Sequence, residues 1–147
     1  MATDNLMEYV TTYTPSLLES VARQQQRQTL GISGDTLPFK GLDIWRAYEF
    51  TWLNSSGKPE VVVADFQIPG KSAQLIESKS LKLYLGSYSN TIFGHRKEVI
   101  QTLEADLTLA AQAAVNVSLV NPEMIQQEGV GQFTGKSLDK LDIDISE

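Results

Sequence analysis

Arg46-Ala-Tyr-Glu-Phe-Thr-Trp-Leu-Asn-Ser-Ser-Gly-Lys-Pro-Glu-Val-Val-Val-Ala-Asp-Phe-Gln-Ile68 reads as two strands and the turn between them. Tyr48, Phe50 and Trp52 alternate along residues 46–53, so an extended segment sets all three on one side. Asn54-Ser-Ser-Gly-Lys-Pro59 is turn chemistry, and Glu60 to Ile68 is a β-branched run, which makes the pair an antiparallel hairpin ended by Pro69-Gly70.

Downstream of the hairpin the period changes. Ser78 to about Ser89 is compatible with a helix, and about Arg96 to Ala114 is a firmer one, because Val99, Leu103, Leu107 and Ala110 recur at spacings of four and three. Val115-Asn-Val-Ser-Leu-Val120 alternates as a strand, Asn121-Pro122 starts a connection, and Leu141-Asp-Ile-Asp-Ile145 alternates again with Asp142 and Asp144 outward. The order is ββααββ, an α+β domain with helices on one face of an antiparallel sheet. Gly129-Val-Gly131 reads as a turn, since it does not open a βαβ unit. Upstream, residues 1–34 are polar, with Arg23-Gln-Gln-Gln-Arg27-Gln, and read as an arm that wraps over a module at 35–147, with one helical turn around Pro15 to Ala22. The closing strand stops at Ser146-Glu147, which suggests a module cut short before a second one, with a sheet edge left for another β unit to pair with.

The bulk numbers narrow the function classes. A chain of 147 residues with 41% hydrophobic content fits one domain with a real core. Its mean hydropathy of -0.17 is ordinary for a globular protein, and no stretch approaches the roughly 18 apolar residues of a membrane span. The start, Met1-Ala-Thr-Asp-Asn-Leu, lacks the basic flank and apolar run of a secretory signal, so a cytoplasmic location is the default. Zero cysteines exclude a disulfide scaffold, a thiolate zinc site and a cysteine nucleophile supplied by this chain, and a single histidine, His95, excludes a poly-histidine metal cluster. A net charge of -6 argues against nucleic acid, so an anionic ligand would need a locally basic pocket.

Chemistry concentrates in Glu77-Ser-Lys-Ser-Leu-Lys-Leu-Tyr84. Glu77 sits just before the first helix, where the plainer reading is a carboxylate stabilised by the helix dipole. The sharper reading is recognition: two carboxylate oxygens match two adjacent N–H donors on a guanine-like edge. Ser78 and Lys79 follow at the helix start, where free backbone amides and an ammonium make a phosphate seat, with Lys82 able to share a face with Lys79. Lysines on a solvated helix face are the plainer alternative. His95 has no placed nucleophile to serve as a base for and reads as a surface or capping residue. Trp45, Phe50 and Trp52 read as core or interface.

Leu37-Pro-Phe-Lys-Gly-Leu-Asp-Ile-Trp45, Tyr48-Glu-Phe-Thr-Trp-Leu-Asn54, Leu75-Ile-Glu-Ser-Lys-Ser-Leu-Lys-Leu-Tyr-Leu85, Gln101-Thr-Leu-Glu104 with Asp106-Leu107, and Gly131-Gln-Phe-Thr-Gly135 together resemble the N-terminal half of the long, two-module 7-cyano-7-deazaguanine reductases, the QueF family. Tyr13-Thr-Pro-Ser-Leu-Leu and Arg27 to Ile32 fit as well, so the resemblance runs from about residue 12 to the end. It implies a T-fold, or tunnelling fold, and an NADPH-dependent reduction of a nitrile to a primary amine in queuosine biosynthesis, a tRNA modification, giving 7-aminomethyl-7-deazaguanine. In that scheme a cysteine thiolate attacks the nitrile to form a thioimide and an aspartic acid supplies protons. By position, Leu75, Ile76 and Glu77 match the substrate-binding segment, and Ser78 and Lys79 match residues at the cofactor phosphate. The cysteine, its aspartate and a substrate-contacting histidine belong to the second module, so this chain alone is expected to be inactive. The implied partners are that C-terminal module and like T-fold sheets in a homo-oligomer. The alternative expectation is a non-catalytic structural or purine-binding module that assembles with like domains.

Overall fold

A computed structural model of the chain describes residues 10–32, 36–128, 131, 134–139 and 141–142. The element order is β1 (Ser20–Ala22), α1 (Arg23–Thr29), β2 (Leu42–Leu53), β3 (Pro59–Pro69), β4 (Gln74–Ile76), α2 (Ser78–Gly86), α3 (Arg96–Ala111), β5 (Asn116–Val120) and α4 (Pro122–Glu128), after a single 3-10 turn at Pro15–Leu17. The main sheet is antiparallel in the order β2-β3-β5, and β1 pairs antiparallel with β4 in a second, two-stranded sheet. The fold is α+β, with the antiparallel sheets and four helices of a T-fold-like arrangement.

The hairpin forms where the residue pattern places it. Asn54 Oδ1 accepts from the N–H groups of Ser56 and Lys58, and Gly57 closes the turn at φ 76°, a left-handed conformation that glycine takes without steric cost. One side chain departs from the expected alternation. Ala47 pairs with Ala64 but Phe50 pairs with Val62, so β2 holds one extra residue in a bulge. Trp45 and Ala47 turn inward before it, Phe50 and Trp52 turn inward after it, and Tyr48 is left outward and 69% exposed. The expectation that Tyr48 shares a side with Phe50 and Trp52 is therefore corrected.

Val62, Ala64, Phe66 and Ile68 of β3 meet the α3 stripe Val99, Leu103, Leu107 and Ala111 in one core. Val99, Leu103 and Leu107 were legible from their spacing, but the stripe closes on Ala111 and not on the expected Ala110, which is only partly buried, and α3 ends there, with Gln112 in the left-handed region at φ 53°. Helix α2 likewise ends at Gly86, not Ser89. Asn121-Pro122 opens a helix, not a loop: proline fits the first helical position, and the Asn121 carbonyl accepts from Met124 N–H. Most of the expected strand 141–145 lies outside the described residues, as do Asp144 and most of Gly129-Val-Gly131; Leu141 and Asp142 belong to no described element. Among the described residues, no helix is long and apolar enough to cross a membrane.

The arm is more ordered than its composition suggests. Tyr13 packs edge-on against Tyr84, Tyr88 and Phe93, while Tyr13 Oη donates to Asp106 Oδ2 at 2.7 Å. Helix α1 has no apolar stripe to bury; it is held by two arginines one turn apart. Arg23 pairs with Asp43 and donates from Nε to Ser72 Oγ and the Gln74 carbonyl, and Arg27 donates to the Gly70 carbonyl. Because the Arg23–Asp43 pair is largely withdrawn from solvent, Arg23→Ala should cost about 1–3 kcal/mol in urea unfolding and speed proteolysis within α1. Unchanged protease protection of residues 20–30 would mean the arginine does not hold the arm.

Candidate functional site

The start of α2 is built by three segments distant in sequence. β4 delivers Glu77, whose N–H donates to the Glu19 carbonyl of the arm at 2.9 Å. Ser80, one turn into α2, is buried; its Oγ accepts from Glu19 N–H at 3.0 Å and donates to the Glu77 carbonyl at 2.8 Å. The arm is thus hydrogen-bonded to both sides of the turn that carries the candidate residues. The sequence reading did not single out Ser80, although it lies in the quoted block, because its partner is 61 residues away.

Glu77 is the N-cap of α2. Its Oε1 accepts from Lys79 N–H at 2.8 Å and, more weakly, from Ser78 Oγ at 3.4 Å, and its Oε2 accepts from Ser80 N–H at 2.6 Å. These bonds hold its carboxyl below the ordinary value of 4.5, the Lys79 amide contributing most and the Ser80 amide next. The side chain is therefore an ionised acceptor at neutral pH that still reaches solvent. A carboxylate offers about four lone-pair sites, so three filled ones leave it limited capacity for further donors.

This geometry corrects one expectation. The phosphate seat was argued on free amides at the helix start, but the amides of Lys79 and Ser80 are already bonded to Glu77. The Lys79 ammonium remains available there, beside a Ser78 hydroxyl held only by its weak 3.4 Å bond to Glu77, and both side chains are exposed. Lys82, three residues beyond Lys79, reaches a groove that Lys79 does not line. It shares with Ser78 and Leu85 the wall of a 380 Å³ groove between α2 and the β2–β3 hairpin, whose other side includes Trp45 and Phe66. Spacings of four and three along a helix bring Ser78, Lys82 and Leu85 onto one face.

Leu75 and Ile76 lie in β4, but their side chains differ in access. Ile76 is buried in the core and Leu75 is half-buried. Glu77 N–H and the Ala73 carbonyl both point to the arm, to Glu19 and Arg23, so alternation turns the backbone groups of Ile76 away from β1. Only through that backbone could Ile76 meet a ligand. His95 caps α3 without a side-chain bond and is exposed, as the sequence suggested. Among the described residues, no three His, Cys, Asp or Glu side chains gather as a metal site would require.

One comparison with known proteins bears on this arrangement. The family model described as nitrile reductase, 7-cyano-7-deazaguanine-reductase N-term, matches residues 9–119. The chain belongs to that family. The matched span of this nitrile reductase N-terminal domain includes Tyr13 and Glu19 of the arm, the hairpin, Leu75 to Lys79, and Asp106. Membership in the nitrile reductase family accounts for an oxidoreductase context, and the N-terminal description implies a C-terminal module as partner.

Proposed function

We propose that this N-terminal domain forms one wall of a 7-cyano-7-deazaguanine reductase site whose thiolate, proton donor and histidine come from a C-terminal module. The observation that carries the reading is Glu77: an ionised, solvent-reaching carboxylate fixed at the start of α2, with acceptor capacity left over. Capping alone does not call for glutamate, since Ser, Thr, Asp and Asn are the preferred N-caps. In the proposed role it accepts from the paired N–H groups of the deazaguanine edge while its helix bonds hold it in place. Leu75 and Ile76 position that carboxylate, and Ile76 does so from the core.

NADPH fits the residues in a limited way. The exposed Ser78 hydroxyl and Lys79 ammonium at the positive end of α2 are a donor set suited to phosphate oxygens, although the Lys79 and Ser80 amides are taken. The cofactor, when bound, supplies the hydride for nitrile reduction. Ser78 and Lys79 orient it from one end and do no chemistry themselves. The outward side of the hairpin, where Ile44, Tyr48 and Val61 are exposed, gives another module an apolar surface to dock on.

The test is complementation. The chain and a separately produced C-terminal module, each alone, should leave NADPH unoxidised in the presence of 7-cyano-7-deazaguanine, and the mixture should oxidise it. Demonstrated association of the two without any gain in NADPH oxidation would leave the alternative, a non-catalytic assembly module, as the better account.

A further inference from the structure

A cleft larger than the groove beside α2 lies away from the start of that helix. It has a volume of 690 Å³ and lies between α1, residues 36–41 leading into β2, and residues 69–74 joining β3 to β4. None of Leu75 to Lys79 lines it. Its charge opposes that of the whole chain: the net charge is -6, yet among the described residues the ionisable side chains lining the cleft are Arg27, Lys40 and Lys71. The ion pairs among the described residues are Arg23–Asp43 and Arg46–Asp65, so neither lysine has an ion-pair partner there.

The backbone fixes where these cations stand. Gly70 N–H donates to the Gly41 carbonyl at 2.8 Å, and a Cβ on Gly70 would sit 3.0 Å from that oxygen, so only glycine allows so close an approach without displacement. Lys40 precedes one of these glycines and Lys71 follows the other. Both lysines therefore branch from a single backbone contact, which Arg27 ties to α1 through the Gly70 carbonyl. The Arg27 guanidinium also lies 5.9 Å from the centre of the Phe39 ring, which is 45% exposed, and Leu37 and Ile32 extend that apolar side. A volume within the roughly 300–1,000 Å³ range of small-molecule sites, three cations and a half-exposed aromatic ring beside them suit a phosphorylated molecule of nucleotide size.

We propose that this cleft is a second anion site, which binds a nucleotide with its phosphates between Lys40 and Lys71 and its ring against Phe39. It is independent of the site at Glu77. The test titrates the ¹⁵N-labelled full chain with ADP and, separately, with inorganic pyrophosphate and with sulfate, following amide signals. Saturable shifts at Gly41, Gly70 and Lys71 are expected with ADP, weakened at least about tenfold in Lys40→Glu/Lys71→Glu, whose exposed positions leave the melting temperature unchanged. Phe39→Ala should weaken ADP several-fold and leave pyrophosphate unaffected. Shifts confined to residues 78–80, equal binding of sulfate, or an ADP affinity indifferent to the lysine pair would overturn the site, and equal effects of Phe39→Ala on both phosphates would overturn the nucleotide assignment.

Discussion

Asp106→Ala is expected to lower the free energy of unfolding by about 2–4 kcal/mol, because it leaves two phenols without their acceptor and opens a gap between the arm and α3. Tyr13 and Tyr84 both donate to the same atom, Asp106 Oδ2, at 2.7 and 2.6 Å. Tyr84 has one proton and gives it to Asp106, so in its 2.6 Å contact with Tyr88 the donor is Tyr88. Burial, more than any neighbour, pushes all three phenols above their ordinary value of 10.0, which keeps them protonated and able to donate. Tyr13 is half-buried and can recover a water, so most of the loss arises at Tyr84.

The conservative variant separates hydrogen bonding from packing. Asp106→Asn retains a carbonyl oxygen where Oδ2 stands and fills nearly the same volume, so its cost should be nearer about 1 kcal/mol. Urea unfolding of the two variants checks the ranking; equal losses would show that the shared oxygen is not what holds the phenols. The pH dependence has a definite sign as well. A phenol whose folded value lies above its unfolded one favours the folded state fully below the unfolded value, and that advantage is lost as pH rises past it. Stability should therefore fall above pH 10.0, the ordinary phenol value.

How much of this was legible in the sequence follows from how far apart the partners lie. The hairpin and α3 were readable because period and turn chemistry are local: Asn54 to Pro59, then Val99 to Leu107. The bulge between Ala47 and Phe50 was not, since one extra residue reverses every later side chain while leaving the composition of the strand unchanged. Helix α1 escaped notice because Arg-Gln-Gln-Gln-Arg-Gln-Thr has no apolar face; what holds it is Arg23 and Arg27 reaching residues 20 or more positions away. At the candidate site, Glu77 announced itself by preceding a helix. Its Ser80–Glu19 support and the Tyr13–Asp106 latch, spanning 61 and 93 residues, exist only once the arm has folded back. The cationic cleft was hidden in the same way, since Arg27, Lys40 and Lys71 form no run and meet only through the Gly41–Gly70 contact.

Glu77→Asp separates the two duties of this carboxylate, because aspartate is among the best N-caps but is one methylene shorter. In a two-module reductase carrying this domain, Glu77→Asp should keep the melting temperature close to wild type and weaken binding of 7-cyano-7-deazaguanine by on the order of ten- to a hundred-fold, as paired N–H donors lose a charged acceptor. Glu77→Gln should weaken binding comparably, since one of the two positions facing the donors becomes an NH₂ group. It should also alter the acid limb of stability. A carboxylate held below 4.5 in the folded state contributes stability that is present above that value and is lost as pH falls through the lowered one, and the glutamine variant has no such component. Binding measured by titration calorimetry and melting followed from pH 7 to 3 give independent readouts of grip and cap. If Glu77→Asp and Glu77→Gln both bind the substrate as tightly as wild type, Glu77 is a helix cap and nothing more, and the substrate must be held elsewhere. If Glu77→Gln alone loses affinity, charge matters and reach does not, which would overturn the close paired grip in favour of a longer-range electrostatic contribution.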